Sequence, residues 1–237
     1  AVENGIYAND SLIMDGLGGT AIYINGAIGG LMTTLPDFPV KDPWSDRVYL
    51  KPDFDKAESQ GKQIAFHALK ALYESNDTII SGGIGLSAKT FDLPLENPLF
   101  KLGAALGILN RGYSKWNHMR TEIAYITIGP ASFLTYPGEV YPELINGGIG
   151  SPEGQDFKID PIEIPVSRDL MKGKYKFIIG LGNDELGYII PKSEWDENPP
   201  YTYGQKEAPD VEINSLGPET SPIIHREIQQ IINDYYN

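Results

Sequence analysis

Apolar positions recur along this chain with two different periods, and each period marks the elements it predicts. Across residues 53–75, Ala57, Ile64, Ala65, Ala68, Leu69 and Leu72 return at spacings of three, four and seven among Lys and Glu. That spacing predicts an amphipathic helix, closed by Asn76-Asp77 before a strand opening at Thr78-Ile79-Ile80. Residues 100–109 predict a second, apolar helix that opens after Pro98 and ends near Asn110-Arg111-Gly112. Residues 222–236 predict a third, with Ile223, Ile224, Ile228, Ile231 and Ile232 on one side.

The strand period governs shorter stretches. Residues 20–24 read as a buried strand running into a glycine turn, and residues 121–128 and 174–179 are rich in β-branched and aromatic residues. Residues 157–166 alternate apolar and polar, but Pro161 and Pro165 confine them to an edge or an extended strap. Strands and helices interleave with no compositional break. The expected fold is therefore α/β: a single loop-rich domain over residues 1–237, with a mixed β-sheet flanked by helices.

Composition narrows the function. Against 19 Lys and Arg stand 32 Asp and Glu, a net charge of −13, so the summed field repels phosphate and disfavours nucleic acid and anionic lipid. Cys is absent, which removes disulfides, thiol nucleophiles and Cys-based zinc sites. The 26 Gly and 18 Pro imply many tight turns. No apolar run approaches the roughly 20 residues of a membrane helix. The opening AVENGIYAND has neither the basic nor the apolar region of a secretory leader. A secreted, periplasmic or cell-surface location is expected, since a Cys-free acidic chain is compatible with export.

Nucleotide chemistry finds little support. Gly180-Leu181-Gly182 follows a predicted strand, but Gly187 and Pro191 arrive too soon for a helix N-terminus to receive a pyrophosphate. No Gly-Lys-Ser or Gly-Lys-Thr occurs, which excludes the P-loop. The three histidines, His67, His118 and His225, lie far apart with no His-Glu-x-x-His spacing, and each reads more readily as structural than catalytic. No Gly-x-Ser-x-Gly elbow supports a serine triad.

Two segments carry more. Tyr136-Pro137-Gly138-Glu139 turns the chain sharply at a strand end, where Glu139 either projects into a ligand site or joins Glu143 in the first turn of a helix. Gly182-Asn183-Asp184-Glu185-Leu186-Gly187-Tyr188 also follows a strand, and Tyr188 is either a site residue or a core tyrosine with a satisfied hydroxyl.

With Ala21-Ile22-Tyr23-Ile24-Asn25-Gly26-Ala27-Ile28-Gly29-Gly30 and Asn214-Ser215-Leu216-Gly217-Pro218-Glu219-Thr220, these segments resemble, in chain order, the later part of the catalytic domain of the neutral/alkaline ceramidases. That family consists of zinc amidases that release the fatty acid from N-acylsphingosine. The resemblance implies a zinc-dependent amidohydrolase acting on an N-acyl (sphingo)lipid amide. One zinc ion is implied, with Glu139 and Tyr188 as two of its ligands.

The family's two zinc-binding histidines precede its Gly-Asp-x-Ser-Pro-like loop, so the domain is expected to be incomplete at its N-terminus. A preceding segment or a second chain would supply them. In that loop Met32 stands where the family has its serine, and Thr33 and Thr34 are the candidate catalytic hydroxyls. A further family tyrosine falls on Val211, with Tyr201 and Tyr203 as possible substitutes. These departures leave two alternatives. One is a catalytically inactive relative that binds a lipid, glycan or partner, and the other is a different metal-dependent hydrolase on this scaffold.

Overall fold

A computed structural model describes residues 1–31, 37–75, 82–109, 113–115 and 117–237. The candidate hydroxyls Thr33 and Thr34 and the predicted strand start at 78–80 lie outside the described residues. Contacts gather in two units, residues 1–23 with 33–80 and residues 24–32 with 81–237.

In the first unit, β1 (Ile6–Ala8) and β2 (Ser11–Met14) form an antiparallel hairpin turned by Asn9 and Asp10, both at positive φ. A second short hairpin pairs β3 (Val40–Lys41) with β4 (Val48–Tyr49). Helix α1 (Phe54–Glu74) follows as predicted, and the Asp53 carboxylate caps it by accepting from the Lys56 amide at 2.8 Å. Ala65 and Leu69 bury against Ile6, with Val2, Met14, Trp44 and Phe66 around them. Ile64 and Leu72, expected on the same stripe, are exposed. Residues 20–24 form no strand; no ladder partner meets them, and Ile22 is 83% exposed.

The second unit contains the sheet. Strand β5 (Ile84–Pro94) leads to α2 (Pro98–Ala105), then to β6 (Tyr113–Lys115) and β7 (His118–Ile128). After β8 (Ala131–Thr135) come β9 (Glu139–Val140), α3 (Pro142–Asn146), α4 (Ser167–Leu170) and β10 (Tyr175–Ile179). The chain closes with β11 (Tyr188–Ile189) and α5 (Thr220–Tyr236). The strand order is β10-β8-β7-β5, with β6 beside the start of β7. Strands β5, β7 and β8 are antiparallel and β10 runs parallel to β8, so the sheet is mixed and the α/β expectation holds.

Strand alternation gives the sheet two unlike faces. On one, Ile123, Tyr125 and Leu134 bury against Ile224, Ile228, Ile231 and Ile232 of α5, the stripe read from the sequence. The Tyr125 hydroxyl donates to the Lys172 carbonyl at 3.1 Å and meets the Tyr236 hydroxyl at 3.1 Å, anchoring the helix end. On the other face a row crosses four strands, Leu86 opposite Ile126, Ile126 opposite Phe133 and Phe133 opposite Phe177. The two phenylalanines stack at 5.0 Å, and Leu86 remains 65% exposed. Among the described residues, no helix is long and apolar enough to cross a membrane.

Residues 157–166 form no regular element. The predicted helix at 100–109 is instead α2, starting earlier because Asn97 caps it and Pro98 takes its first turn, and ending by Leu106.

Candidate functional site

The site forms where β8 runs out. Tyr136 continues the ladder by donating to the Ile179 carbonyl (2.8 Å), and Pro137-Gly138 then turns the chain into β9. The 180–188 loop wraps this turn: Gly182 donates to Tyr136 (2.8 Å), Leu186 to Pro137 (2.9 Å), and Glu139 to Gly187 (2.9 Å). A two-residue parallel ladder results, in which Tyr188 stands opposite Glu139 and Ile189 opposite Val140. Helix α3 starts at Pro142, so its first turn holds Glu143 and leaves Glu139 on the ladder.

Glycines let the other segments approach. A Cβ on Gly29 would meet the Glu139 carbonyl oxygen at 2.6 Å, and the Gly29 amide donates to Val140 at 2.9 Å. The Gly180 amide donates to Asn25, where a Cβ would stand 2.1 Å from the Gly26 oxygen. The 212–217 strap closes the far side. Its Leu216 carbonyl accepts from Glu96 and Asn97, and the Asn97 amide group donates to Ile213 and Ser215, each at 2.9 Å. All four segments singled out in the sequence thus contribute backbone to one place.

In parallel register, Glu139 and Tyr188 project from the same face of the ladder. The phenol is within hydrogen-bonding reach of the carboxylate. Burial first, then the Glu139 charge and hydrogen bond, push Tyr188 above its ordinary value and keep it protonated. Glu139 Oε2 is buried with no hydrogen-bond partner. Both residues line a cavity of about 360 Å³ whose apolar wall includes Phe100, Leu109, Met119 and Leu216.

The histidines do not complete this pair. His225 is buried on α5 with Nε2 2.8 Å from the Pro165 carbonyl, and His118 begins β7 opposite Pro94. His67 lies in the middle of α1, its ring edge-on to Phe66. Among the described residues, no group of three His, Cys, Asp or Glu side chains could hold a metal ion.

The structure adds two residues that the sequence reading passed over. Tyr141 continues the ladder by donating to Ile189 at 3.2 Å, so it shares the face of Glu139 two positions earlier. Burial and the charges of Glu212, Glu194 and Glu143, with Tyr188 beside them, push its phenol up. The alternation Glu-Val-Tyr after Pro-Gly was the available signal. Glu212, beside Val211, is buried and pushed up to about 7, chiefly by burial and then by Asp196 and Glu197. Tyr203, one of the tyrosines considered as substitutes, is 79% exposed.

No family model matches the chain, and no curated protein matches it.

Proposed function

We propose that this chain carries part of the active site of a zinc-dependent amidohydrolase similar to the neutral/alkaline ceramidases, acting on an N-acyl (sphingo)lipid amide. One observation carries the reading. The two residues assigned to zinc by the sequence resemblance, Glu139 and Tyr188, are register partners on one ladder, and the buried Oε2 of Glu139 has no partner of its own.

The donor chemistry fits half a site. A carboxylate and a phenol are acceptable hard oxygen ligands, and zinc takes about four ligands in all. The remaining two would be imidazoles from a preceding segment or a separate chain. When bound, the metal would polarise the amide carbonyl and acidify a water molecule. Glu139 contributes the negative charge that holds such a cation. Tyr188 contributes a phenol whose proton that cation would displace. Phe100, Leu109, Met119 and Leu216 offer an apolar wall on which an acyl chain can lie while water is excluded. Thr33 and Thr34, three and four positions after Gly30 in the sequence, are the proposed hydroxyl-bearing residues. An exported location belongs to the same proposal and is supported by the Cys-free, acidic composition.

Met32 in place of the family's serine favours a second reading, a ceramidase-like fold that binds lipid or a partner without hydrolysis. Zinc content and hydrolysis of a fluorescent N-acylsphingosine separate the two. Both would be measured on the chain alone and on the chain expressed with the coding sequence that precedes it. About one zinc per chain, with hydrolysis lost in Glu139→Gln and on chelation, is the expected result for the longer protein. Lipid binding unaffected by chelation, with no zinc in either protein, would overturn the hydrolase reading.

A further inference from the structure

The first unit holds a cavity of about 210 Å³ that plays no part in the site above. Three of its walls are aromatic side chains brought from separate elements: Tyr7 on β1, Trp44 in the β3–β4 loop and Tyr49 on β4. Asn9, Arg47 and Asp55 add polar groups from the β1–β2 turn, the same loop and the first turn of α1.

The walls are held before any ligand arrives. Asp42 donates its amide to the Arg47 carbonyl at 3.0 Å and accepts from the Trp44 amide at 2.8 Å, closing the loop on itself. Trp44 packs edge-to-face on Phe66 at 5.7 Å, which fixes its ring against α1. Among the described residues, no hydrogen bond or ion pair engages the side chains of Tyr7, Asn9, Arg47, Tyr49 or Asp55. The cavity therefore presents unengaged donors and acceptors alongside aromatic rings, of which Trp44 is held in place by Phe66.

Charge and chemistry select the ligand class. Asp42, Asp55 and Glu58 outnumber Arg47 and Lys62, and Lys62 is already paired with Glu58 at 2.8 Å, so an anion is disfavoured. Among the described residues, no cluster could hold a metal ion. A neutral ligand with hydroxyls at its edge and a C–H face for an aromatic ring matches what remains. We infer that this cavity binds a neutral hexopyranose unit, free or at the end of a glycan, with an aromatic ring under the sugar face and Arg47, Asp55 and Asn9 on its hydroxyls.

Saturation-transfer NMR on the full chain tests this with methyl α-glucopyranoside, methyl α-mannopyranoside, methyl β-galactopyranoside and N-acetylglucosamine. At least one should receive saturation from the protein and bind with a dissociation constant of about 1–10 mM, as expected for a small polar ligand. Arg47→Ala and Asp55→Asn, both on exposed side chains, should each weaken it by roughly threefold or more. Trp44→Ala should abolish it, and because Trp44 also packs on Phe66, Tyr7→Ala serves as the aromatic variant that leaves that contact in place. Absence of transfer to all four sugars would overturn the proposal. So would binding that survives Arg47→Ala, Asp55→Asn and Tyr7→Ala unchanged, because the sugar would then sit elsewhere.

Discussion

A Cβ on Gly187 would stand 1.9 Å from the carbonyl oxygen of Asn214. Gly187 also sits at φ +84°, and its own carbonyl accepts the amide of Glu139. The residue that positions the carboxylate of the site is thus wedged, backbone to backbone, against the 212–217 strap. Gly187→Ala should lower unfolding stability by about 2–4 kcal/mol, since the added Cβ meets a backbone oxygen at a positive φ and the Gly187 carbonyl cannot move away without giving up the Glu139 amide. Gly61→Ala makes the contrast: its Cβ meets open space within α1, and a gain of roughly 0.5–1 kcal/mol is expected. Urea denaturation of both variants checks the pair.

Asn97 connects a helix cap to the same strap. Its Oδ1 accepts from the Leu99 and Phe100 amides at 2.9 and 3.2 Å, while its Nδ2 holds the Ile213 and Ser215 carbonyls. Asn97→Ala should cost about 2–4 kcal/mol, the cap plus two stranded carbonyls. Asn97→Asp keeps the cap but has no donor for the strap. Amide exchange should then accelerate at residues 212–217 while α2 stays protected, a split that mass spectrometry of exchanged peptides can read.

The pH dependence of stability should carry the signature of Glu212. Its ordinary value lies near 4.5, and burial with the Asp196 and Glu197 charges raises it to about 7 in the folded chain. Folded protein therefore holds a proton between those values that unfolded protein releases. The stabilisation is fully present below about pH 4.5 and is lost as pH rises through about 7. Allowing for partial screening by solvent, this amounts to about 2 kcal/mol. Glu212→Gln should flatten that decline, measured as melting temperature from pH 4.5 to 8.

The Tyr188 phenol should titrate under the influence of the Glu139 charge. Removing the carboxylate charge in Glu139→Gln lowers the Tyr188 value toward that of a free phenol, but only in part, because burial is the larger cause and remains. Difference absorbance of tyrosinate, with Tyr188→Phe as the subtraction control, reads the shift directly. An unchanged profile would mean that the two side chains do not interact.

Much of this architecture was legible before folding. The apolar spacing of α1, the isoleucine stripe of α5, and the β-rich runs of β7 and β10 are local patterns, and each element formed near its expected place. Strand β5 was not legible. Its apolar positions Ile84, Leu86 and Ala88 give way to Phe91 and Leu93 on the opposite phase, so no single alternation marks it, yet it pairs with β7 along its whole length. Conversely, residues 20–24 have a strand's composition and no partner, and they form none.

The candidate site divides the same way. The sequence by itself marked Glu139 and Tyr188 as candidates, because Pro-Gly before Glu139 and glycine before Tyr188 are turn signals at strand ends. Only the tertiary structure decided that these two residues face each other, that Tyr141 joins their side and that Asn97 holds the strap. A hydrophobic period records which face of an element is buried. Register between distant segments is set instead by backbone hydrogen bonds and by glycines that allow close approach, and neither leaves a periodic trace along the chain.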